Sequence, residues 1–231
     1  MVTSEYTGAD VLEFMTAAKN YNAFLLREVV RHAEGATQAV DFGAGIGTFA
    51  KMVRDAGLDV VCVEPDERQL VGLRQDGFTA FPDLSVVPSA SVPYLYTLNV
   101  LEHIENDAEA LRAIFHALRP GGRCLIYVPA FPILYSSFDQ RLGHFRRYRR
   151  RSLAALVRSQ GFAIEEATYK DSIGFAAALV FRLVAKPDGS VSEAAISIFD
   201  RFLFPLSAQL DRIMGRICGK NVMICARKPF A

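Results

Sequence analysis

The segment from Val40 to Phe49 constrains the fold more than any other part of the chain. It reads V-D-F-G-A-G-I-G-T-F, an apolar run that enters a turn with glycines at 43, 45 and 47 and continues into a helical pattern. Glycine has no Cβ, so backbone N–H groups at the start of the helix can approach a ligand closely. This strand, glycine turn and helix predict an α/β domain that binds a nucleotide or a related cofactor.

Apolar runs that fit strands alternate with helical patterns along most of the chain. The helical segments include one from Phe14 to about His32, in which apolar residues recur every three or four positions. Alternation of this kind predicts a parallel sheet with helices on both faces and right-handed crossovers. The predicted strands are 38–42, 59–64, 78–81, 94–98, 123–128, 162–169 and 221–227.

Composition narrows the possible functions. The 231 residues are 51% hydrophobic and carry 26 Lys+Arg against 25 Asp+Glu. This balance excludes a mainly disordered chain and disfavours a strongly basic nucleic-acid binder. We expect a single cytoplasmic domain with reduced thiols, no signal peptide and no membrane-spanning helix. The thiols, which form no C-x-x-C pair, are Cys62, Cys124, Cys218 and Cys225.

The spacing of the glycines separates two cofactor classes. A nicotinamide fingerprint, G-x-G-x-x-G, would place a glycine at position 48, where this chain has Thr48. The observed G-x-G-x-G turn is followed by C-V-E-P-D at 62–66, F-P-D-L at 81–84, L-N-V-L-E-H-I at 98–104 and L-R-P-G-G-R at 118–123. These five segments, in this order, resemble the motifs of class I S-adenosylmethionine-dependent methyltransferases.

The resemblance implies a fold and a domain plan. The expected fold is a doubly wound, mostly parallel seven-stranded sheet of the Rossmann-like methyltransferase type, with an antiparallel last strand and a helical insertion before it. The chain is expected to be a single domain. Its parts are an N-terminal helical cap over 1–37, a cofactor-binding half over 38–128, an acceptor-side half over 129–231 and the insertion at 172–217.

The resemblance also assigns S-adenosylmethionine as cofactor and a set of residues that bind it. Asp41 and the glycine turn would hold the methionine end, Glu64 the ribose and Asp83 the adenine. Tyr21 would close over the cofactor or would simply be part of the buried stripe of its helix. The assigned residues are Tyr21, Asp41, Gly43, Ala44, Gly45, Gly47, Glu64, Pro65, Asp83, Leu84, Asn99, Val100 and Leu101.

Candidate catalytic residues follow the fourth and fifth strands. His103 comes directly after the fourth strand, and Asp139 and His144 lie in the aromatic and arginine-rich segment after the fifth. A histidine there fits a general base, and a carboxylate can orient it. Each also fits a hydrogen-bonded structural residue. This second segment resembles one in a methyltransferase subgroup often encoded beside enzymes of lipid-linked sugar assembly. Its arginines would suit a phosphate, a carboxylate or an anionic lipid surface, or would pair with nearby acids as ordinary surface charges. We expect substrate contacts from Arg146, Arg147 and Tyr148.

No metal is predicted. Some O-methyltransferases with a similar segment after the fourth strand use two glutamates and a histidine to hold a divalent cation. Here Asn99 occupies the first of those glutamate positions, which leaves Glu102 and His103, joined by His144 from the later segment, as a weaker ligand set.

The helical insertion at 172–217 gives information about the acceptor and about possible binding partners. Apolar residues recur along one face of its second helix, which Pro205 should kink. That face fits a lid, a homodimer surface, a helix lying on an anionic membrane, or ordinary packing. We expect a small-molecule or lipid-linked acceptor, methylated on oxygen, and a protein that is cytoplasmic or peripheral at the inner face of the membrane. The apolar residues are Ile198, Phe202, Leu206, Leu210, Ile213 and Ile217.

Three other functions remain open on the sequence alone. A nicotinamide-dependent oxidoreductase is disfavoured by the missing third glycine. An RNA methyltransferase would use the arginine cluster, but the near-neutral charge disfavours it. A cofactor-binding protein without catalysis would have little reason to keep both the glycine turn and Glu64.

Overall fold

The computed structural model describes residues 18–184 and 193–230. They form a seven-stranded sheet in the order β3-β2-β1-β4-β5-β7-β6. Strands β1 to β5 are parallel, and β7 lies antiparallel between β5 and β6. The predicted fold class and antiparallel last strand are thereby confirmed. The strands are β1 Gln38–Phe42, β2 Asp59–Val63, β3 Thr79–Phe81, β4 Val92–Leu98, β5 Leu118–Pro129, β6 Ala163–Lys170 and β7 Asn221–Arg227.

Helices connect the strands in the expected alternation. The α-helices are α1 Lys19–Ala33, α2 Thr48–Asp55, α3 Glu67–Gln75, α4 Asp107–Ala117, α5 Ser137–Arg141, α6 Arg150–Ser159, α7 Ser172–Val184, α8 Glu193–Ile198 and α9 Phe204–Met214. Short 3₁₀ turns cover Leu84–Val86, Leu101–His103 and Pro132–Leu134. Phe14 and the rest of 1–17 lie outside the described residues, and the proposed division of the chain into parts stays a prediction.

Side chains of the central strands alternate between two apolar layers. In β5, Ile126 joins the layer formed with α4 and α6, whereas its neighbours Leu125 and Tyr127 join the layer formed with α1, α2 and α3. Successive side chains of a strand point to opposite faces, so both faces of the sheet are buried. The sheet is thus a rigid platform whose strand ends are left to build the site.

Two local details add to the sequence expectation. The fifth strand is predicted over 123–128, but β5 begins at Leu118, and Pro120–Gly122 lies within it as an irregularity, where the register with β4 shifts between Val92 and Tyr94. Before Pro205, α-helical hydrogen bonding gives way to a π-helix over Phe199–Leu203. Proline has no N–H and cannot continue regular α-helical bonding, which accounts for the irregular turn there.

Candidate active site

The glycine turn after β1 has a conformation that other residues would strain. Gly43, Gly45 and Gly47 have φ values of 83°, 57° and 81°, in the left-handed region. A Cβ on Gly43 would lie 2.4 Å from Cγ2 of Val100, and one on Gly47 would lie 2.7 Å from Leu73. Two of the three glycines are therefore required by packing as well as by backbone conformation.

Glu64 links the end of β2 to this turn. Its buried carboxylate accepts hydrogen bonds from the backbone N–H groups of Gly45, at 2.8 Å, and Asp66, at 2.9 Å. Each carboxylate oxygen has two lone pairs, so Glu64 keeps acceptor capacity for ligand hydroxyls. The carboxylate and the turn thus form one hydrogen-bonded unit at the carboxyl edge of the sheet.

Asp41 is buried near the end of β1, and its Oδ2 has no hydrogen-bond partner among the described residues. Burial raises the pKa of Asp41 to about 7, and the nearby charge of Glu64 acts in the same direction. A buried carboxylate without a full set of donors is costly. This oxygen is therefore suited to an ammonium or hydroxyl group of a bound molecule.

Tyr21 is held near Asn99 by the helical insertion. Its ring makes edge contacts with Tyr127 and Phe204, at centroid distances of 6.3 and 5.4 Å. The carboxylate of Asp200 accepts the backbone N–H groups of Asn20 and Tyr21, both at 2.9 Å, and so caps α1. Burial raises the pKa of Tyr21, whose hydroxyl is also close to the side chains of Tyr127 and Asn99.

The other residues that were predicted to bind the cofactor differ in their exposure. Val100 packs on Gly43, and Leu101 and Leu84 are buried in the core. Asp83 is exposed, and hydrogen bonds from the Ser85 side chain and from the Ser85 N–H, the latter at 2.7 Å, lower the pKa of Asp83. Pro65 is exposed beside Glu64, and Ala44 is buried within the turn.

A second polar cluster lies where β4 and β5 end. The 3₁₀ turn after β4 carries Glu102 and His103, and the backbone N–H of Phe145 donates to the Glu102 carbonyl at 2.8 Å. This bond brings the His144 ring to His103, with ring centroids 4.6 Å apart. Glu102 is fully buried, and neither of its carboxylate oxygens has a partner among the described residues. Burial raises the pKa of Glu102 to about 8.

Asp139 fixes His144 from the other side. Its buried carboxylate accepts from His144 Nδ1 at 2.9 Å, from Arg147 Nε at 2.7 Å and from the Ser136 N–H at 2.9 Å. Burial opposes ionisation of Asp139, but these donors outweigh it and lower its pKa to about 2. Burial and the neighbouring His144 lower the pKa of His103 to about 4. His103 is therefore a neutral ring at pH 7.

The residues expected to contact substrate make internal contacts. Arg147 pairs with Asp139, and Arg146 lies 2.9 Å from the Asp107 carboxylate and donates to the Glu105 carbonyl. Tyr148 is buried, and its hydroxyl lies within hydrogen-bonding distance of both the Leu101 carbonyl and Asp107. These contacts give the three residues a structural role, because their polar groups already have partners, and a substrate contact by them stays a prediction.

Comparison with known proteins identifies the family. A family model described as a methyltransferase domain matches residues 12–167, which is more than half of the chain. The chain belongs to this methyltransferase family. It is a class I S-adenosylmethionine-dependent methyltransferase, as the five sequence motifs predict.

Relatives and solved structures agree with this assignment. A Mycolicibacterium smegmatis protein named a probable S-adenosylmethionine-dependent methyltransferase is 28% identical over an alignment of 196 residues that covers 78% of this chain and 72% of the relative. The structure of a SAM-dependent methyltransferase from Archaeoglobus fulgidus has a TM-score of 0.61 at 17% identity and covers 91% of this chain and 94% of its own. The structure of Haemonchus contortus phosphoethanolamine N-methyltransferase 2 with S-adenosyl-L-methionine has a TM-score of 0.59 at 18% identity. The match covers 91% of this chain and 52% of the Haemonchus chain. At these identities the structural likeness shows the fold.

The methyltransferase uses S-adenosylmethionine, and the residues present fit that cofactor. A Cβ on Gly45 would have only Gln69 within 4 Å, at 3.5 Å, so the turn is open to a ligand at this glycine, and the unpartnered Asp41 oxygen suits the cofactor's ammonium group. One functional feature was missed in the sequence, because Asp200 is distant in the chain from the helix that it caps. Glu102 was considered there only as a member of a weak metal-ligand set, and its burial without a partner could not be predicted from its place beside His103.

Proposed function

We propose that this methyltransferase transfers a methyl group to a hydroxyl oxygen of a lipid-like acceptor, which binds beside His103 and His144. The observation that carries the proposal is the cluster at the ends of β4 and β5, in which the buried carboxyl groups of Glu102 and Asp139 lie beside the partly buried rings of His103 and His144. In open α/β sheets, ligands bind at the carboxyl ends of the strands. The cluster therefore lies at the edge where an acceptor would meet the cofactor.

The cofactor-side residues position the reaction. The glycine turn, Asp41 and Glu64 would hold the methionine and ribose parts, and Tyr21 would cover them from α1. When bound, S-adenosylmethionine supplies an electrophilic methyl group, and the electrons of the methyl–sulfur bond stay with sulfur on transfer. The chain's main contribution is to align the acceptor oxygen with that methyl group and to exclude water.

The cluster accounts for the proton of the acceptor. A hydroxyl oxygen becomes an effective nucleophile as it loses its proton, and a neutral imidazole can take that proton. The hydrogen bond between Nδ1 and Asp139 fixes the orientation of His144 and leaves the lone pair of its Nε2 free to accept a proton, whereas the low pKa of His103 makes that ring a weaker base. In this reaction the acceptor O–H bond and the methyl–sulfur bond break, the new oxygen–carbon bond forms, and the proton passes to Nε2 of His144.

A stripe of exposed apolar side chains supports a lipid-like acceptor. Six large apolar residues of α8, α9 and the segments joined to them are between 40% and 74% exposed, and Arg201, Arg212 and Arg216 are exposed nearby. Apolar residues with flanking arginines are typical of a helix that lies on an anionic membrane. Among the described residues no helix is both long and apolar enough to span a bilayer. The stripe consists of Ile198, Phe202, Leu206, Leu210, Ile213 and Ile217.

Transfer of labelled methyl groups tests the proposed acceptor. The protein is incubated with methyl-labelled S-adenosylmethionine and either a cellular lipid extract or a water-soluble extract. We expect label in the lipid fraction on an oxygen atom, and a loss of at least tenfold in His144→Asn with unchanged cofactor affinity. His116→Asn, at an exposed site on α4, is the matched control. Label in RNA, or on nitrogen or carbon, would refute the proposed chemistry.

Flotation with vesicles tests the membrane contact. We expect the protein to float with vesicles containing anionic lipid, and the double variant Leu206→Ser, Ile213→Ser to remain in solution. Val71→Ser replaces an apolar residue of α3 that is 46% exposed and serves as control. If the double variant floats like the wild type, the stripe is not the membrane surface; if it instead abolishes self-association seen by sedimentation, the stripe is a dimer interface.

A further inference from the structure

Three potential metal ligands meet at the acceptor end of the site. Glu102, His103 and His144 each present one ligand atom, and these atoms all lie within 4.8 Å of one another. Two come from the turn after β4 and the third from the loop after α5, and the hydrogen bond from the Phe145 N–H to the Glu102 carbonyl joins the two segments. The fold therefore brings together donors that are far apart in the sequence.

Glu102 gives an independent reason to expect a cation. Its side chain is 0% exposed, and both carboxylate oxygens lack a hydrogen-bond partner within the described part of the chain. Buried carboxylates are normally hydrogen-bonded or paired, because removing them from water is costly. A cation at the cluster would give both oxygens a partner at the point where the two imidazole rings converge.

The surrounding contacts prepare the histidines as ligands. His144 Nδ1 lies 2.9 Å from Asp139 Oδ1, so Nδ1–H donates to the carboxylate and Nε2 keeps its lone pair. Asp139 is itself fixed by Arg147, whose Nε and Nη2 donate to it at 2.7 and 3.1 Å. A carboxylate that orients a histidine in this way is a regular feature around protein metal sites.

We propose that Glu102, His103 and His144 form a binding site for a divalent transition-metal ion. Two imidazoles and one carboxylate suit zinc, manganese, iron or cobalt better than magnesium or calcium, which prefer oxygen ligands. Three protein ligands leave a coordination position open for an oxygen atom. Where the acceptor is a hydroxyl, coordination would lower the pKa of that hydroxyl, so that its proton would pass to solvent and the histidines would act as ligands in place of the histidine base described above. This role rests on the proposed function, whereas metal binding does not.

Metal binding is measured directly on the full chain, after treatment with a chelator and its removal. Calorimetric titration with Zn²⁺, Mn²⁺ and Mg²⁺, and the visible spectrum of the Co²⁺ form, report on the site without any acceptor. We expect one equivalent of Zn²⁺ or Mn²⁺ to bind and Mg²⁺ to bind at least tenfold more weakly. Failure of the wild-type protein to bind any transition metal would overturn the proposal.

Variants test the ligand set. Glu102→Gln and His144→Asn should each weaken binding at least tenfold, and the latter keeps an amide donor for Asp139. The matched controls Glu105→Gln and His116→Asn alter exposed residues and should bind like the wild type. Circular dichroism and thermal unfolding of the metal-free proteins verify folding. Should Glu102→Gln fail to fold, His103→Asn tests the same ligand set. Wild-type affinity in folded ligand variants would show that the metal binds elsewhere.

Activity separates this proposal from the proposed function. Loss of oxygen methylation on chelation, restored by the metal that binds, would support both. Oxygen methylation that is unaffected by chelation, in a protein that binds no metal, would refute the metal site and leave the proposed function intact. Metal binding in a protein that methylates nitrogen would support the metal site and refute the proposed function.

Discussion

Replacement of Asp41 by asparagine tests the reasoning about the cofactor pocket most sharply. The Asp41 carboxylate is buried and only partly satisfied in the cofactor-free protein, so its charge should cost stability while it serves binding. We expect Asp41→Asn to stabilise the cofactor-free protein at alkaline pH. We also expect it to weaken S-adenosylmethionine binding at least tenfold, which corresponds to about 1.4 kcal/mol.

The size of the expected stability difference follows from the raised pKa of Asp41. Burial raises the pKa of Asp41 from 3.8 to about 7. The folded state therefore holds a proton that the unfolded state has lost between these pH values, and stability falls as pH rises through that window. At about 1.4 kcal/mol per pH unit the full cost above pH 7 is about 4 kcal/mol, of which about 2–3 kcal/mol develops between pH 5 and pH 8.

Urea unfolding of the cofactor-free protein at pH 5 and pH 8 measures this difference. The gap in unfolding free energy between Asp41→Asn and the wild type should widen by about 2 kcal/mol over this interval. Asp55→Asn, at an exposed position at the end of α2, should show no such change. A gap that is the same at both pH values would refute the raised pKa, and an unchanged cofactor affinity would refute the role of Asp41 in binding.

Three further predictions concern the structure around the site. Gly43→Ala places a Cβ 2.4 Å from Val100 at a φ of 83°, and it should lower stability by about 2 kcal/mol or more in thermal unfolding. The double variant with Val100→Ala should recover part of this loss. An unchanged Tm in Gly43→Ala would contradict the packing of the turn. Burial alone would raise the pKa of Glu28. Hydrogen bonds from His32 and Arg31 and the charge of Lys170 outweigh the effect of burial, so the pKa of Glu28 is lowered to about 2. Glu28 therefore stabilises the fold above pH 4.5, and the deficit of Glu28→Gln, about 2–3 kcal/mol at pH 7, should shrink as pH falls towards 2; a deficit that does not depend on pH would count against this contact. Asp200→Ala removes the cap of α1 and should cost about 1 kcal/mol of stability and weaken cofactor binding through Tyr21, whereas equal cofactor affinity would separate Tyr21 from the pocket.

The sequence predicted the elements that depend on local periodicity. β1 and β7 begin and end where the pattern indicates, and the family, cofactor and fold class are confirmed. The course of β5 was predicted less well, because Pro120–Gly122 is typical of a turn. The segment is held against the sheet by the pairing of Leu118 and Arg123 with β4 and by backbone hydrogen bonds of Gly121 and Gly122 with Lys228.

The site was harder to predict where it depends on contacts between distant segments. The approach of His144 to Glu102 requires a loop conformation that no local pattern specifies. The arginines after β5 suggest an anion site by composition, but folding supplies Arg146 and Arg147 with carboxylate and carbonyl partners. Partners of this kind become visible only in three dimensions.

Calorimetric titration of the cofactor is the most direct test of the central claim, that the glycine turn and Glu64 bind S-adenosylmethionine. We predict one equivalent bound to the wild type, binding of its demethylated product, and no binding of NAD. Affinity should fall at least tenfold in Glu64→Gln and stay unchanged in Glu67→Gln, an exposed residue at the start of α3. Binding of NAD in place of S-adenosylmethionine, or equal affinity in Glu64→Gln and the wild type, would contradict the account.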